Sequence, residues 1–183
     1  MMSEVATQEL GEFFDYIWGD TEGFVYLPVQ PEPYGPKDWQ AAMFQWPKQR
    51  AGVIRYVLKW SATQANVFYS PAVFKSASPK KDAVLGSWVL WADFDGNAPA
   101  SWDELDVPPP TLIVQSSLAG HEHCYWRLDE FVTDIAMLED RNRSIAYTLK
   151  ADTSGWDADQ ILRPIHTINR KRNLPVVVKE WDQ

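Results

Sequence analysis

Apolar residues spaced three and four apart mark the first element of the chain. Gly19 follows this stripe directly, and glycine often ends a helix. The spacing is typical of an amphipathic helix with one face against a core. The stripe consists of Leu10, Phe13, Phe14, Ile17 and Trp18.

After this helix the pattern changes to partial alternation and then to proline-rich segments. Residues 23–29 alternate in part, which predicts a strand. Three prolines between residues 30 and 36 predict a loop, because proline lacks a backbone donor. The remaining predictions here are helices at residues 38–45 and 47–62, a short strand at 66–70, and a polar, basic, mobile segment at 76–82.

The middle of the chain is richer in strands. A long apolar run at residues 87–95 predicts a buried strand, and the Pro- and Asp-rich residues 98–110 predict a long connection. Residues 111–117 and 121–128 are predicted to pair as a hairpin around residues 118–120.

The C-terminal third begins with a predicted helix. Asp129 can cap this helix, which runs to about Leu149 with one apolar side. A short helix at residues 157–162 and a final strand at 175–181 follow. Strands separated by helices, together with one hairpin, indicate an α+β or mixed α/β domain.

The composition limits the class of protein. A length of 183 residues and 45% hydrophobic content fit one globular domain over residues 1–183. No apolar run approaches the ~18 residues of a membrane span, and the polar N-terminus lacks a signal-peptide core. Cys124 is the single cysteine, which excludes an internal disulfide and a thiolate zinc cluster. We therefore expect a cytoplasmic protein without a membrane partner.

The charge is acidic overall but unevenly distributed. The net charge is -8, whereas general nucleic-acid binders are usually basic. No acid lies between Asp159 and Glu180, although five basic residues do. A cationic strip on an acidic body suits a localised polyanion such as a triphosphate, and the alternative is a solvated, charged loop. The strip contains Arg163, Arg170, Lys171, Arg172 and Lys179.

Ten tryptophans are many for a chain of this length. Most are expected in the core or at an interface, because a large ring buries much apolar area. One or two are candidates for stacking on a nucleobase, and the sequence does not distinguish which.

Two carboxylates stand one residue apart at the end of the strand predicted at residues 87–95. On a strand, Asp93 and Asp95 point to the same face because side chains alternate. Two carboxylates on one face repel each other, and a divalent cation such as Mg²⁺ between them removes the repulsion. Gly96 and Asn97 then end the strand. The motif points to phosphate chemistry at a metal site, and the alternative is an ordinary turn.

A second group of reactive side chains lies in the predicted hairpin. On a strand, His121, His123 and Tyr125 share one face. A histidine there can contact a phosphate oxygen, accept a proton or bind a metal. For His121 the favoured interpretation is an exposed residue of the hairpin.

A third group follows the predicted helix. Asp152 supplies another acid, and Arg163, His166, Asn169 and Lys171 follow it. The guanidinium of Arg163 suits bidentate contact with phosphate. Taken alone, this segment is better explained by a helix with solvated charges.

The order of these segments resembles the archaeo-eukaryotic primase superfamily, in particular the primase-polymerases of phages and plasmids. That family has an acidic pair, then a Ser-x-His type strand often followed by Tyr-Trp, then a hydrophobic residue plus Asp. A basic segment of the type Leu-Arg-x-Pro-Gly-Thr-x-Asn-x-Lys commonly follows. The resemblance covers residues 66–180, and residues 1–65 carry no matching motif.

The resemblance aligns individual residues with these motifs. Asp93 and Asp95 match the acidic pair, and His123 matches the second motif because Tyr-Trp follows it at the expected offset. Asp152 is the best match to the third acid, with Asp157 as its competitor. Ser117 matches the serine, and Arg163, Thr167, Asn169 and Lys171 match the basic segment.

One departure from the family pattern is clear. Residues 163–167 read Arg-Pro-Ile-His-Thr, where the family tends to have Pro-Gly before Thr. The turn is therefore expected to differ, which weakens the assignment of Thr167 and Asn169.

By this resemblance the chain is a template-directed nucleotidyltransferase, a DNA primase-polymerase of phage or plasmid replication in a bacterial or archaeal host. The implied fold is an α+β core with an antiparallel sheet, related to the RNA-recognition fold and packed by helices. The implied partners are single-stranded DNA template, primer and dNTP or NTP. A helicase is a further expected partner, because most such domains belong to longer replication proteins.

The same resemblance implies different roles for the individual residues of the site. The three acids would hold two Mg²⁺ or Mn²⁺ ions, and the other residues would bind the nucleotide. By the resemblance, the metal ligands and catalytic acids would be Asp93, Asp95 and Asp152. His123 would be catalytic and would bind phosphate together with Ser117. The other nucleotide-binding residues would be Arg163, Lys171, Asn169 and Thr167.

Two rival functions remain open at the level of sequence. A glycosyltransferase also uses Asp-x-Asp with Mn²⁺, but it leaves Asp152 and the basic strip unexplained. A non-catalytic, DNA-binding module of a replication initiator leaves the acidic cluster without a purpose.

Overall fold

A computed structural model of the chain describes residues 4–103 and 105–182, so residue 104 of the predicted 98–110 connection lies outside it. Antiparallel pairing builds an eight-stranded sheet in the order β10-β6-β7-β5-β4-β1-β2, with β3 also paired to β1. A separate pair, β8 and β9, forms a small ribbon. The elements are α1 (Glu4–Trp18), β1 (Gly23–Gln30), β2 (Gln40–Trp46), α2 (Arg50–Ser61), β3 (Asn66–Val67), β4 (Val73–Phe74), β5 (Val84–Asp95), β6 (Leu112–Gln115), β7 (His121–Val132), α3 (Ile135–Leu149), β8 (Ile168–Asn169), β9 (Leu174–Pro175) and β10 (Val177–Trp181).

The structure confirms the apolar stripe that the sequence predicts for α1. All five residues of the stripe are fully buried in the core. Phe14 stacks on Trp18 with ring centroids 4.5 Å apart. The indole N–H of Trp18 donates to the carbonyl oxygen of Ser70 at 3.0 Å, so this large ring is buried without losing its hydrogen bond. Gly19 follows the helix with φ 57°, the left-handed region that glycine enters easily.

The helix predicted at residues 38–45 is wrong. The segment forms β2, which pairs with β1 along its length, from Gly23 opposite Trp46 to Val29 opposite Gln40. Pairing satisfies the backbone of both strands and sets the apolar side chains of β2 against neighbouring residues. This tertiary gain overrides a local helix preference worth only tenths of a kcal/mol per residue.

Two further predictions need correction near α3. The helix does not start at Asp129, because β7 continues to Val132. Asp134 is the actual cap, and its carboxylate accepts the backbone N–H of Met137 at 3.0 Å. The predicted helix at residues 157–162 is replaced by turns and an isolated bridge between Leu162 and Tyr69.

The long strand β5 organises the half of the molecule that carries the motifs. One edge of β5 pairs with β7, whereas β4 reaches the other edge only at Val84 and Gly86. Further along that second edge, Asn142 of α3 accepts the backbone N–H of Trp91 at 3.1 Å. Beyond it, the N–H of Asp152 donates to the carbonyl oxygen of Asp93 at 2.8 Å. The end of β5 is therefore enclosed by β7 on one side and by the segment after α3 on the other.

The mixed α+β architecture with a large antiparallel sheet agrees with the predicted fold class. None of the helices in the described part of the chain combines the length and hydropathy needed to cross a bilayer.

Candidate active site

A cavity of about 250 Å³ opens at the end of β5. The sequence motifs, which lie far apart along the chain, meet in its wall because β5, β7 and the segment after α3 adjoin there. Its lining consists of Phe68, Asp93, Phe94, Asp95, Ser116, Ser117, His121, His123, Asp152, Ile161, Leu162, Arg163, Asn169, Lys171 and Arg172.

The pairing of β5 with β7 places each acid of the pair beside a histidine. Asp93 lies opposite His123 and Asp95 lies opposite His121 in the strand register. The Nε2 atom of His123 is 3.5 Å from Oδ1 of Asp93, and Nδ1 of His121 is 2.8 Å from Oδ1 of Asp95. The interpretation of His121 as an exposed hairpin residue is wrong, since its side chain is only 14% exposed and lines the cavity.

Two glycines allow the ends of these strands to approach closely. Gly96 donates its N–H to the carbonyl oxygen of Gly120 at 3.0 Å, and both residues have positive φ. A Cβ atom on Gly120 would lie 2.8 Å from the carbonyl oxygen of Gly96. A side chain here would push apart the strand ends that carry the acids and histidines.

Asp152 is a third carboxylate in the cavity lining. Its backbone bond to Asp93 fixes the spacing between the two residues, and its side chain lines the cavity. Asp157, the competitor for this role, forms an ion pair with Lys81 at 3.0 Å and does not line the cavity. The geometry therefore favours Asp152 as the third acid.

Arg163 forms the basic wall of the cavity. Its guanidinium lies 4.4 Å from the ring centroid of Phe68 and donates to Oδ1 of Asn66 at 2.8 Å. The same oxygen accepts the backbone N–H of Arg170 at 3.1 Å, so Asn66 anchors two points of the basic segment. Lys171 and Arg172 also line the cavity and are exposed.

Two other predicted nucleotide-binding residues are buried at the cavity. Ser117 is 4% exposed and Asn169 is 8% exposed. The amide of Asn169 donates to the carbonyl oxygen of Ser116 at 3.1 Å. Within the described residues, its Oδ1 atom and Nδ1 of His123 are buried polar atoms without a hydrogen-bond partner. Polar atoms of this kind are available to a bound ligand.

Thr167 is the one predicted site residue that the structure places outside the cavity lining. It is buried, and its hydroxyl donates to the carbonyl oxygen of Pro164 at 2.7 Å, which supports the turn. His166, which stands where the family tends to have glycine, has φ 59°. Its Nε2 atom lies 2.6 Å from a carboxylate oxygen of Glu9. The backbone thus takes a glycine-type conformation here with a histidine whose ring is tied to α1.

Several residues of the site carried no usable signal in the sequence. Phe68 and Asn66 lie in a segment with no polar motif, and their importance comes from the contacts with Arg163. Arg172 belongs to the basic strip, but nothing in the strip distinguished the cations that face the cavity from those that do not.

Comparisons with known proteins find no matching family model and no matching curated protein. Solved structures do match. The AEP domain of the cyanophage S-2L primase-polymerase is 11% identical with a TM-score of 0.69, over 96% of this chain and 93% of that one. Primase RepB' is 14% identical with a TM-score of 0.66, over 96% of this chain but only 56% of that one. The catalytic domain of RepB' in complex with initiator DNA is 14% identical with a TM-score of 0.65, over 96% of this chain and 85% of that one.

The chain has the archaeo-eukaryotic primase fold. The predicted fold class and the predicted resemblance are both confirmed by these structures. The match extends over 96% of the chain, which includes most of the N-terminal part that carries no motif.

Burial and neighbouring charges shift the pKa values of three side chains in this primase-fold cavity. Burial raises the pKa of Asp93 from 3.8 to about 7, and the charges of Asp152 and Asp95 add to the effect, whereas Arg163 opposes it. Burial, followed by the charge of Arg163, lowers the pKa of His123 to about 3, so its ring is neutral. Burial lowers the pKa of Arg163 to about 10, which leaves it charged at neutral pH.

The donor set fits a hard divalent cation by its chemistry. Within residues 4–103 and 105–182, no three His, Cys, Asp or Glu side chains are arranged to hold a metal ion as they stand. The outer carboxylates are held by neighbours, Asp95 by His121 and Asp152 by the backbone and hydroxyl of Ser154, both at 2.8 Å. Burial and the charges of the two outer carboxylates nonetheless raise the pKa of Asp93, and a bound Mg²⁺ or Mn²⁺ would relieve this repulsion.

The raised pKa of Asp93 leads to a prediction about stability. Because its folded-state pKa lies above the unfolded value of 3.8, stability present at low pH is lost as the pH rises through about 7. The substitution Asp93→Asn removes the ionisable carboxyl and therefore this pH-dependent loss of folding stability. In the presence of a chelator, the variant should equal the wild type at pH 4 and exceed it at pH 8 by about 4 kcal/mol in urea unfolding. A variant less stable than the wild type at pH 8 would show that the Asp93 carboxylate is favourably paired.

Proposed function

We propose that this chain is a template-directed nucleotidyltransferase of the primase-polymerase type. The observation that carries the proposal is the meeting of Asp93, Asp95 and Asp152 with Arg163 in one cavity of a primase fold. Acids near a half-buried guanidinium suit a substrate that brings both phosphates and divalent cations.

Asp93, Asp95 and Asp152 are the residues that would hold the Mg²⁺ or Mn²⁺ ions. When bound, such ions supply charge neutralisation on phosphate oxygens and a lowered pKa for an attacking hydroxyl. The chain contributes the spacing of the acids: two adjoin on one face of β5, and the third is fixed by its backbone bond to Asp93. The spacing of Asp152 from the acidic pair is therefore held by a backbone hydrogen bond.

The basic and neutral polar residues of the cavity would bind the triphosphate. Arg163 is held in place by Asn66 and Phe68, so its guanidinium is oriented before a ligand arrives. The neutral ring of His123 keeps one N–H that can donate to a phosphate oxygen. Ser117 and Asn169 add buried polar groups, and exposed Lys171 adds charge at the rim.

The proposed substrates are dNTP or NTP with a primer on single-stranded DNA template. One RepB' structure holds initiator DNA, which makes DNA a reasonable partner for this chain as well. The acidic net charge of -8 is consistent with a local DNA contact near the cationic rim rather than a long duplex footprint. A helicase domain or protein stays a proposed partner of the whole replication protein.

A functional test compares nucleotide transfer with sugar transfer. Purified chain with Mn²⁺ or Mg²⁺ should extend a labelled primer only with the dNTP complementary to the template base. It should not turn over a nucleotide sugar, as a glycosyltransferase would. DNA binding without any incorporation would favour the non-catalytic initiator module instead.

Arg163→Ala and Lys171→Ala should weaken nucleotide binding more than DNA binding. A partly buried, charge-assisted contact to phosphate contributes roughly 1.5–3 kcal/mol, so Arg163→Ala should raise nucleotide KM about tenfold or more. The effect of Lys171→Ala should be smaller, because Lys171 is exposed. DNA contacts are spread over many phosphates. The loss of one contact should mainly change the slope of log DNA affinity against log salt concentration, by about one unit. The measurement is nucleotide KM and template affinity at two salt concentrations.

Lys80→Ala provides the matched control, since Lys80 is an exposed lysine that does not line the cavity. Arg163→Gln keeps a donor for Asn66 and separates the loss of charge from a loss of local structure. Selective loss of template affinity with unchanged nucleotide KM would move the strip to the DNA-binding surface and refute its assignment to the triphosphate.

A further inference from the structure

Trp39 differs from the other nine tryptophans in its environment. It is 41% exposed, whereas each of the others is buried or half-buried. An exposed indole keeps a large apolar surface in contact with water, and each of the remaining tryptophans buries more of its ring than Trp39 does. Among the tryptophans, Trp39 is therefore the one whose ring is most accessible to a ligand.

The ring of Trp39 is linked to the acidic cavity through Phe68. The two ring centroids are 5.3 Å apart, with the planes tilted by 39°. Phe68 is half-buried and lines the cavity, and the guanidinium of Arg163 lies over its ring. Arg163, Phe68 and Trp39 thus form a row that leads from the charged wall of the cavity to solvent.

The backbone holds both rings in place. The N–H of Phe68 donates to the carbonyl oxygen of Pro28 in β1 at 2.9 Å. Trp39 immediately precedes β2, whose first residue, Gln40, pairs with Val29 of β1. Both aromatic residues are therefore anchored beside the same strand, and little conformational entropy is lost when a flat ligand stacks on them.

We propose that Trp39 and Phe68 form an aromatic platform on which a nucleobase stacks at the mouth of the cavity. The proposal rests on the proposed nucleotidyltransferase function and adds the residues that contact the base rather than the phosphates. The base belongs either to the incoming nucleotide or to the single-stranded template, since both present the same flat π face. Arg163 and the exposed cations Lys171 and Arg172 supply nearby positive charge for the attached phosphates.

Two binding measurements on the purified chain test the platform with Trp39→Ala. One compares an oligonucleotide of about 12 thymidines with the same backbone carrying abasic sites. The other compares a dNTP with inorganic tripolyphosphate as competitors for one site. In at least one of the two measurements, the wild type should bind the ligand with a base about tenfold or more tightly than the ligand without one. Trp39→Ala should lose that preference in the same measurement. Trp39→Phe keeps an aromatic face and should stay within about threefold of the wild type.

Tyr147→Ala is the matched control, because Tyr147 is a 62% exposed aromatic residue of α3 that does not line the cavity. It should retain the full preference in both arms. Loss in the oligonucleotide arm identifies the template base, and loss in the dNTP arm identifies the incoming nucleotide. A folded Trp39→Ala variant that keeps the wild-type preference in both arms overturns the platform, as does a wild type without any preference.

These outcomes are separable from those of the proposed function, because neither binding arm requires catalysis. A wild type that incorporates no nucleotide, while Trp39→Ala loses base preference, refutes the enzyme activity and retains the platform. An active wild type with an unaffected Trp39→Ala variant refutes the platform alone.

Discussion

Asp93→Ala and Asp95→Ala should each reduce template-directed nucleotide incorporation by about a thousandfold or more. Both side chains lie on one face of β5 and line the cavity with Asp152. Loss of a metal ligand removes several kcal/mol of transition-state charge stabilisation, and about 4 kcal/mol corresponds to that factor. The measurement is single-turnover primer extension at saturating dNTP with Mg²⁺ and with Mn²⁺.

The variants should remain folded, which keeps the result interpretable. Asp93 is repelled by its neighbouring acids, so its removal relieves strain between charges in the absence of metal. Asp129→Ala on the same hairpin strand as His123 serves as the control, because Asp129 is exposed and does not line the cavity. Normal incorporation by a folded Asp93→Ala protein would remove this residue from the metal site.

Asp152→Asn should be far more damaging than Asp157→Asn. The first substitution removes one of the three cavity carboxylates, and a loss of about a hundredfold or more in incorporation is expected. Asparagine keeps an oxygen that can accept the bonds from Ser154, and the backbone bond to Asp93 does not change. The comparison therefore isolates the charge at residue 152 from its position.

Asp157→Asn breaks only a partly exposed ion pair with Lys81, which contributes at most about 1 kcal/mol to stability. Incorporation by this variant should stay within about twofold of the wild type. The two variants are compared at equal concentration after matching their unfolding transitions. An inactive Asp157→Asn enzyme beside an active Asp152→Asn enzyme would reverse the assignment of the third acid.

Local patterns predicted the elements that bury one clear face. The stripe of α1 and the apolar run of β5 both lie where the spacing placed them. The same reasoning failed at residues 38–45, where an Ala-containing segment that suits a helix pairs with β1 instead. It also placed the start of α3 five residues early, because Asp129 and Asp134 are equally good caps in sequence. Pairing with another strand decides both cases, and the apolar pattern of the segment itself does not report it.

The candidate site was predictable in its composition but not in its arrangement. Strand alternation alone placed Asp93 and Asp95 on one face. The link between β5 and Asp152 depends on a backbone bond at an edge that β4 leaves unpaired, which only the fold provides. His121 was misjudged because its burial comes from the register with β5 rather than from its own neighbours in sequence. Phe68 and Trp39 become relevant only through their ring contacts.

The most direct test of the central claim is a crystal of the chain soaked with Mn²⁺ and a dNTP. Nucleotidyl transfer at this cavity predicts anomalous peaks for Mn²⁺ at the carboxylates of Asp93, Asp95 and Asp152, with the triphosphate against Arg163. Mn²⁺ peaks away from these three carboxylates, with the triphosphate bound outside the cavity, would contradict the account.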